Sequence, residues 1–246
     1  MKVDHFEQQK LLDLAAEDVA LTQLAHRRRT LPEVAAVEAA EESERSLSAD
    51  VVRAETEVRD LTREVKRLES DVDTVRQRAT RDQQRLDSGS ATPKEMTGLQ
   101  HEMESLARRQ GDLEDQQLEL MERLEAAESA LAAAQQGHVR AREELERAQQ
   151  LRDDALADIA DGTTRHESAR AAVTGGISAP LLSLYDRIRT QTGTTGAAML
   201  KARQCQGCRI ELNGRELAAV RNADPHEVVR CENCGRILVR TAESGL

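Results

Sequence analysis

Apolar residues return every seven positions through much of the chain, and that repeat predicts long helices paired along a seam. One line holds Val37, Glu44, Val51, Val58, Val65, Val72, Ala79 and Leu86; a second holds Ala40, Leu47, Ala54, Leu61, Leu68, Val75 and Asp82. A β-branched residue on one line and Leu on the other, sustained over many turns, specifies a left-handed supercoil. A second run follows the same rule. Met103, Gln110, Gln117, Leu124, Leu131, His138, Leu145, Arg152 and Ile159 interleave with Leu106, Leu113, Leu120, Ala127, Ala134, Ala141, Ala148 and Ala155. Polar Gln110, Gln117 and His138 interrupt this seam, as residues that set register do.

Between the runs lies the segment Asp87 to Glu95, where Thr92 suits a helix cap, Pro93 a first turn, and Glu95 completes a Thr-x-x-Glu capping box. A short loop between long heptad runs predicts an antiparallel helical hairpin. The same start signal stands at Thr30-Leu-Pro-Glu33, after His26-Arg-Arg-Arg29, whose cations favour the C-terminal end of a preceding helix. That first helix and the one after it, about 26 and about 55 residues, together match a third over residues 93–173. One long helix should therefore pack against two shorter ones in succession, with a break near Pro32.

The helical pattern fades at Thr174-Gly-Gly176. Residues 178–189 then read as a short amphipathic helix started by Pro180 and presenting Leu181, Leu184, Tyr185 and Ile188. Gly193-Thr-Thr-Gly196 reads as a flexible joint. Beyond it the expected order is a strand Ala198–Arg203, a cysteine knuckle, a short helix capped by Asn213, a strand Glu227–Arg230, a second knuckle and a strand Arg236–Arg240. The expected organisation is residues 1–173 as coiled-coil hairpin, 174–197 as linker with its short helix, and 198–246 as a metal-bearing ribbon.

Composition agrees with this class. One Phe, one Tyr and no Trp in 246 residues exclude a large aromatic core, while 33% charged residues beside Ala, Leu and Val suit coiled coil. No apolar run approaches the length of a membrane span, and the acidic, amphipathic N-terminus lacks the marks of a signal peptide. A cytoplasmic location is expected.

The most specific chemistry is two CxxC pairs, Cys205-Gln-Gly-Cys208 and Cys231-Glu-Asn-Cys234, with 22 residues between them. Each pair can bend into a knuckle presenting two thiolates, and together they predict one structural zinc held by Cys205, Cys208, Cys231 and Cys234. Two disulfides or four free thiols would leave the doubled spacing unaccounted for. Gly235, just after the last ligand, suits a sharp turn at positive φ, and Gly207 can serve the first knuckle from between its ligands. His226 is read as a loop residue, since four cysteines already close the shell. A closed shell has no open position for water, and the metal would be structural. A ribbon of this size cannot bury a sufficient core alone and relies on its metal.

These residues carry a resemblance. Pro180-Leu-Leu-Ser-Leu-Tyr-Asp-Arg-Ile188, Cys205-x-Gly-Cys208 and Val229-Arg-Cys-Glu-Asn-Cys-Gly-Arg-Ile-Leu238 resemble the bacterial C4-type zinc-ribbon proteins with an N-terminal coiled-coil hairpin. The fold class is thus mainly α: a long antiparallel coiled-coil hairpin, kinked and built of three helices, then a small C-terminal C4 zinc ribbon. The resemblance implies a non-enzymatic protein that binds proteins, with nucleic acid as the alternative ligand. Where the family often has an aromatic after Arg-Ile-Leu, this chain has Val239.

Charge weighs the second ligand class. Residues 1–173 carry 25 Lys and Arg against 38 Asp and Glu, whereas residues 174–246 carry 10 against 7. Lys201, Arg203, Arg209, Arg236 and Arg240 are the candidate contacts to phosphate, but the ribbon has no aromatic platform for bases and the acidic helices would repel a polyanion. Any such binding is expected to be weak. No glycine-rich phosphate loop, HExxH or nucleophile elbow is present, and the six histidines are scattered. Neither catalysis nor a small-molecule substrate nor a membrane is expected. The reading is a zinc-binding coiled-coil adaptor for protein partners, with the ribbon as recognition head.

Overall fold

Five helices and four short strands build the chain in the computed structural model, which describes residues 1–89 and 91–246. The helices are α1 (His5–Arg29), α2 (Pro32–Asp87), α3 (Pro93–Thr174), α4 (Ala179–Thr192) and α5 (Gly214–Asn222). The strands are β1 (Ala197–Lys201), β2 (Gln204–Cys205), β3 (Val229–Arg230) and β4 (Ile237–Val239). The 25 residues of α1 and the 56 of α2 together match the 82 of α3 to within one, as the fold-back requires. By internal contacts the chain divides into two compact units, Ala35–Gln150 on one hand and Met1–Val34 with Leu151–Leu246 on the other. This grouping joins residues that the expected boundaries after 173 and 197 keep apart.

In the first unit the seam is where the heptads put it. Every position on both α2 lines is shielded from solvent to some degree, and Val37, Leu61, Val65, Val72 and Val75 are buried. Val72 and Val75 share a cluster with Leu106 and Leu113 of α3. Antiparallel pairing shows in the partners: Glu44 meets His138 at 2.8 Å, and a Cβ on Gly137 would lie 3.6 Å from the Leu47 side chain. The interrupting His138 thus finds Glu44, the acid that interrupts the first α2 line. Across the same pair of helices, Arg76 reaches Glu114 and Arg78 reaches Glu102, each at 2.7 Å. At the hairpin turn, Thr92 N–H donates to Glu95 and Glu95 N–H to Thr92 Oγ1, so the capping box forms. Ser90, in the expected turn, lies outside the described residues.

The second unit starts from α1, capped by Asp4, whose carboxylate accepts from Phe6 N–H. Leu11, Leu14 and Ala15 form its buried face. The helix ends at its basic run, and Leu31, in the break before α2, is buried with Ala155 and Ile159. Along α3, Glu17 pairs with His166 and Asp18 with Arg170, so α1 runs antiparallel to the end of α3. The strands form one sheet in the order β2-β1-β4-β3, with β1 and β4 parallel and the outer pairs antiparallel.

Alternation along the strands gives this sheet two buried faces. Ala197, Ile237 and Val239 point into a core with Leu11, Leu14, Leu181, Tyr185 and Ile188. Ala198, Leu200 and Leu238 point into a second core with Leu212, Val220, Cys205 and Cys231. The sheet therefore separates a helical core from a metal-site core and serves both. Residues 193–196 are not the free joint expected from their glycines. Thr195 and Gly196 are buried, and Arg236 donates to Thr194 and Thr195. Strand β1 also ends earlier than expected: Ala202 and Arg203 take positive φ (45° and 66°) and make a two-residue turn into β2. The tail holds that turn, since Ala202 and Arg203 N–H donate to the carbonyls of Glu243 and Ser244.

Candidate metal centre

Two knuckles with the same backbone wiring bring the cysteines together. In the first, Arg209 N–H donates to Cys205 O and Cys205 N–H to Ile210 O; in the second, Gly235 N–H donates to Cys231 O and Cys231 N–H to Arg236 O. The fifth residue of each knuckle takes positive φ, 59° at Arg209 and 73° at Gly235. Gly235 does what the sequence led one to expect. Gly207 does not: it is the non-glycine Arg209 that adopts the left-handed conformation in the first knuckle. Gly207 is needed for space instead, because a Cβ there would stand 2.7 Å from Arg236 Cδ and 2.9 Å from Ala198 Cβ.

The four sulfurs lie within 4.8 Å of one another, with Cys205 to Cys234 at 3.8 Å and Cys208 to Cys231 at 3.9 Å. A tetrahedral shell with Zn–S bonds of about 2.3 Å requires sulfur separations of about 3.8 Å. A disulfide would need about 2.05 Å, and all four cysteines are free. The donor set and spacing therefore fit one structural zinc.

The electrostatics point the same way. Burial pushes the Cys205 thiol up to about 12 and also raises Cys231. Burial acts upward on Cys234 as well, but hydrogen bonds from the Arg236 backbone and side chain, and from Cys231 and Cys208, bring it down to about 7. Four thiolates at this spacing repel one another and lose hydration, and a divalent cation among them removes both penalties. His226 is exposed and stands outside the cysteine group; its carbonyl accepts from Val3 N–H instead.

The five candidate phosphate contacts separate into two kinds. Arg240 donates to the carbonyls of Val220, Ala223, Asp224, Pro225 and Glu227, closing the end of α5 and the loop after it. Arg236 is held by Thr194, Thr195 and Gly207. Both are structural. Lys201 is exposed but pairs with Glu243 at 2.7 Å. Arg203 and Arg209 are exposed, with Arg203 donating to Gly245 O.

Sequence reasoning missed the polar group that ties the helices of this unit. Asp18 is fully buried and accepts from Tyr185 Oη at 2.7 Å, Arg170 Nε at 2.8 Å and Arg189 Nη2 at 3.1 Å. Arg170 also reaches Asp186 at 3.0 Å. Burial would lower the Arg170 pKa, but Asp18 and Asp186 outweigh it and hold it above the ordinary value. Burial, then the Asp18 hydrogen bond and charge, raise the Tyr185 phenol well above its usual range. A signal existed: Asp18 follows Leu11 and Leu14 on the same apolar helix face.

Comparison with known proteins matches residues 14–193 to the CT398-like coiled coil hairpin domain and residues 204–238 to the C4-type zinc ribbon domain. The chain is 39% identical over 240 residues to the uncharacterized protein Rv2229c of Mycobacterium tuberculosis, covering 98% of each. It is 30% identical over 220 residues to an uncharacterized protein of Mycobacterium leprae, covering 89% of this chain and 94% of that one. Among solved structures, a protein from Mycobacterium smegmatis superimposes with a TM-score of 0.81 at 34% identity, covering 98% of this chain and all of the other. CT398 from Chlamydia trachomatis shares the fold with a TM-score of 0.63 at 18% identity, over 96% of this chain and 98% of that one.

Proposed function

Because the chain belongs to the CT398-like coiled coil hairpin family and carries a C4-type zinc ribbon, we propose that it is a non-enzymatic adaptor for protein partners. The observation that carries this reading is the closed set of four cysteines. A metal held by four thiolates has no position left for water or substrate, and its contribution is to hold the ribbon's shape. The hairpin supplies surface for partner helices. Val52, Leu118, Met121 and Val139 are large, apolar and exposed on it. Residues 35–150 carry 17 Lys and Arg against 27 Asp and Glu, which favours a basic amphipathic partner. Among the described residues no helix is long and apolar enough to cross a membrane.

Nucleic-acid binding through the ribbon is the second reading, favoured by exposed Arg203 and Arg209 beside the first knuckle. It ranks lower because Arg236 and Arg240 are occupied by the ribbon's own carbonyls, and because the buried Tyr185 offers no stacking surface. The test is capture of partners by the full-length chain with and without nuclease, together with Arg203→Glu/Arg209→Glu. Partners retained after nuclease and indifferent to both substitutions support the adaptor. Partners lost on nuclease treatment, with binding that falls steeply as salt rises, support the nucleic-acid reading.

A further inference from the structure

We propose that the metal centre holds more than the ribbon: it is the keystone that keeps helix α1 seated, so that loss of zinc releases the N-terminal helix. The proposal rests on the zinc site and not on which partner the chain binds. Three connections run from the cysteines to α1.

The first is the sheet itself. Leu238 faces the metal-site core while its neighbours Ile237 and Val239 face the core that contains Leu11 and Leu14. Strand β4 follows directly on the second knuckle, and β2 ends on Cys205, so the cysteines set the strands whose other face carries α1. Any shift of β4 that opens one core opens the other.

The second is a polar relay. Arg236, two residues after Cys234, donates through Nη1 to Gly207 O in the first knuckle at 3.5 Å, through Nε to Thr195 O at 3.1 Å and through Nη2 to Thr194 Oγ1 at 2.7 Å. Ile237 N–H donates to Gly196 O at 2.9 Å. Gly196 lies so close to Tyr185 that a Cβ would stand 2.2 Å from its carbonyl oxygen and 2.7 Å from its ring. Tyr185 Oη in turn donates to buried Asp18 on α1, which Arg170 and Arg189 also bind. The rigid parts are therefore contiguous from the knuckle to α1.

The third is the N-terminal edge. Val3 N–H donates to His226 O and Val228 N–H to Met1 O, adding residues 1–3 beside the segment that leads into Cys231. Gln8, buried on α1, donates to Val3 O and Pro225 O. Loss of the second knuckle would free this edge together with β3.

The test uses the full-length chain, loaded with zinc or stripped with a high-affinity zinc chelator, and reads hydrogen exchange segment by segment. On stripping, amides of residues 5–18 and 179–192 should exchange faster by about tenfold or more, as the ribbon amides do, while residues 35–150 stay unchanged. Faster exchange confined to residues 197–240 would overturn the proposal. A uniform increase that includes 35–150 would overturn it too, since the metal would then hold the whole chain and not α1 in particular. Arg236→Gln isolates the relay: in chains that elemental analysis shows to hold zinc, α1 should loosen, and Arg236→Lys should restore protection only in part. An α1 as well protected in zinc-loaded Arg236→Gln as in the parent would remove the arginine from the connection.

Discussion

The hairpin of residues 35–150 and the metal-bearing unit of residues 1–34 with 151–246 are stabilised in opposite ways. In the hairpin, stability is distributed along a repeated seam: each layer of Val, Leu or Ala resembles the next, and losing one leaves the others in place. In the other unit it is concentrated in one four-cysteine centre, the fully buried Asp18 carboxylate and a sheet of short strands shared by two cores. Charge divides in the same way. The hairpin's 17 Lys and Arg against 27 Asp and Glu account for the whole formal net charge of −10, and the remaining residues balance at 18 against 18. A repeat tolerates excess charge because its outer positions are solvated. A unit that buries Asp18 and gathers four thiols, Cys205 and Cys231 buried and Cys208 and Cys234 half-buried, must compensate each one locally.

The comparison breaks most sharply at the zinc ligands. Cys231→Ser or Cys234→Ser should dissolve the sheet, because structural zinc is worth about 10–16 kcal/mol to a small metal-dependent fold. Circular dichroism should nevertheless keep the hairpin's share of the helical signal. A loss of nearly all helicity would place the metal under the hairpin as well.

Next in size is Asp18→Ala. It leaves Arg170, Arg189 and the Tyr185 hydroxyl without their acceptor, at a cost of about 3 kcal/mol for breaking a buried ion pair. Thermal melting should show one transition lowered and the hairpin's unmoved. If both fall together, the two units are not independently stabilised.

In the hairpin, Leu106→Ala opens a cavity next to Val72 and Val75 and should cost about 2 kcal/mol, with zinc content unchanged. A cysteine pair at Leu61 and Leu124 tests the register, since the contacts of Leu47 with Gly137 and Glu44 with His138 place these positions near one another. Crosslinks should form within one chain when the ribbon cysteines are protected by zinc. Crosslinks only between chains would mean that the hairpin is exchanged between copies.

The seam was legible from sequence because a coiled coil repeats a local rule: every α2 position on the heptad lines proved shielded, and α1 and α2 together matched α3 in length. The cysteine centre was legible because its spacing is chemically specific. The Asp18 group was not, since its partners Arg170, Tyr185 and Arg189 lie about 150 or more residues away and no local period links them. The roles of Arg236 and Arg240 were hidden for the same reason. A solvated basic side chain and one bound to internal carbonyls have the same sequence, and only the fold distinguishes them. Arg209 shows a further limit: equivalent wiring in the two knuckles imposes positive φ there whether or not a glycine is present.

The smallest effect concerns Tyr185, the chain's single tyrosine. Burial first, then Asp18, raise its phenol, so the folded state holds the proton more tightly than the unfolded one. That contribution is fully present below the ordinary phenol value of about 10 and is lost as pH rises toward the folded value. Phenolate absorbance should therefore be absent where a free tyrosine is half ionised, and should appear only as this unit unfolds. Ordinary ionisation near pH 10 would mean that Tyr185 is not locked onto Asp18.

The central claim, a closed four-thiolate zinc site, is tested most directly by zinc K-edge X-ray absorption on the purified full-length chain. The account predicts one zinc per chain with four sulfur neighbours at about 2.3 Å. A shell containing nitrogen or oxygen at about 2.0–2.1 Å, or a chain that holds no zinc, would contradict it.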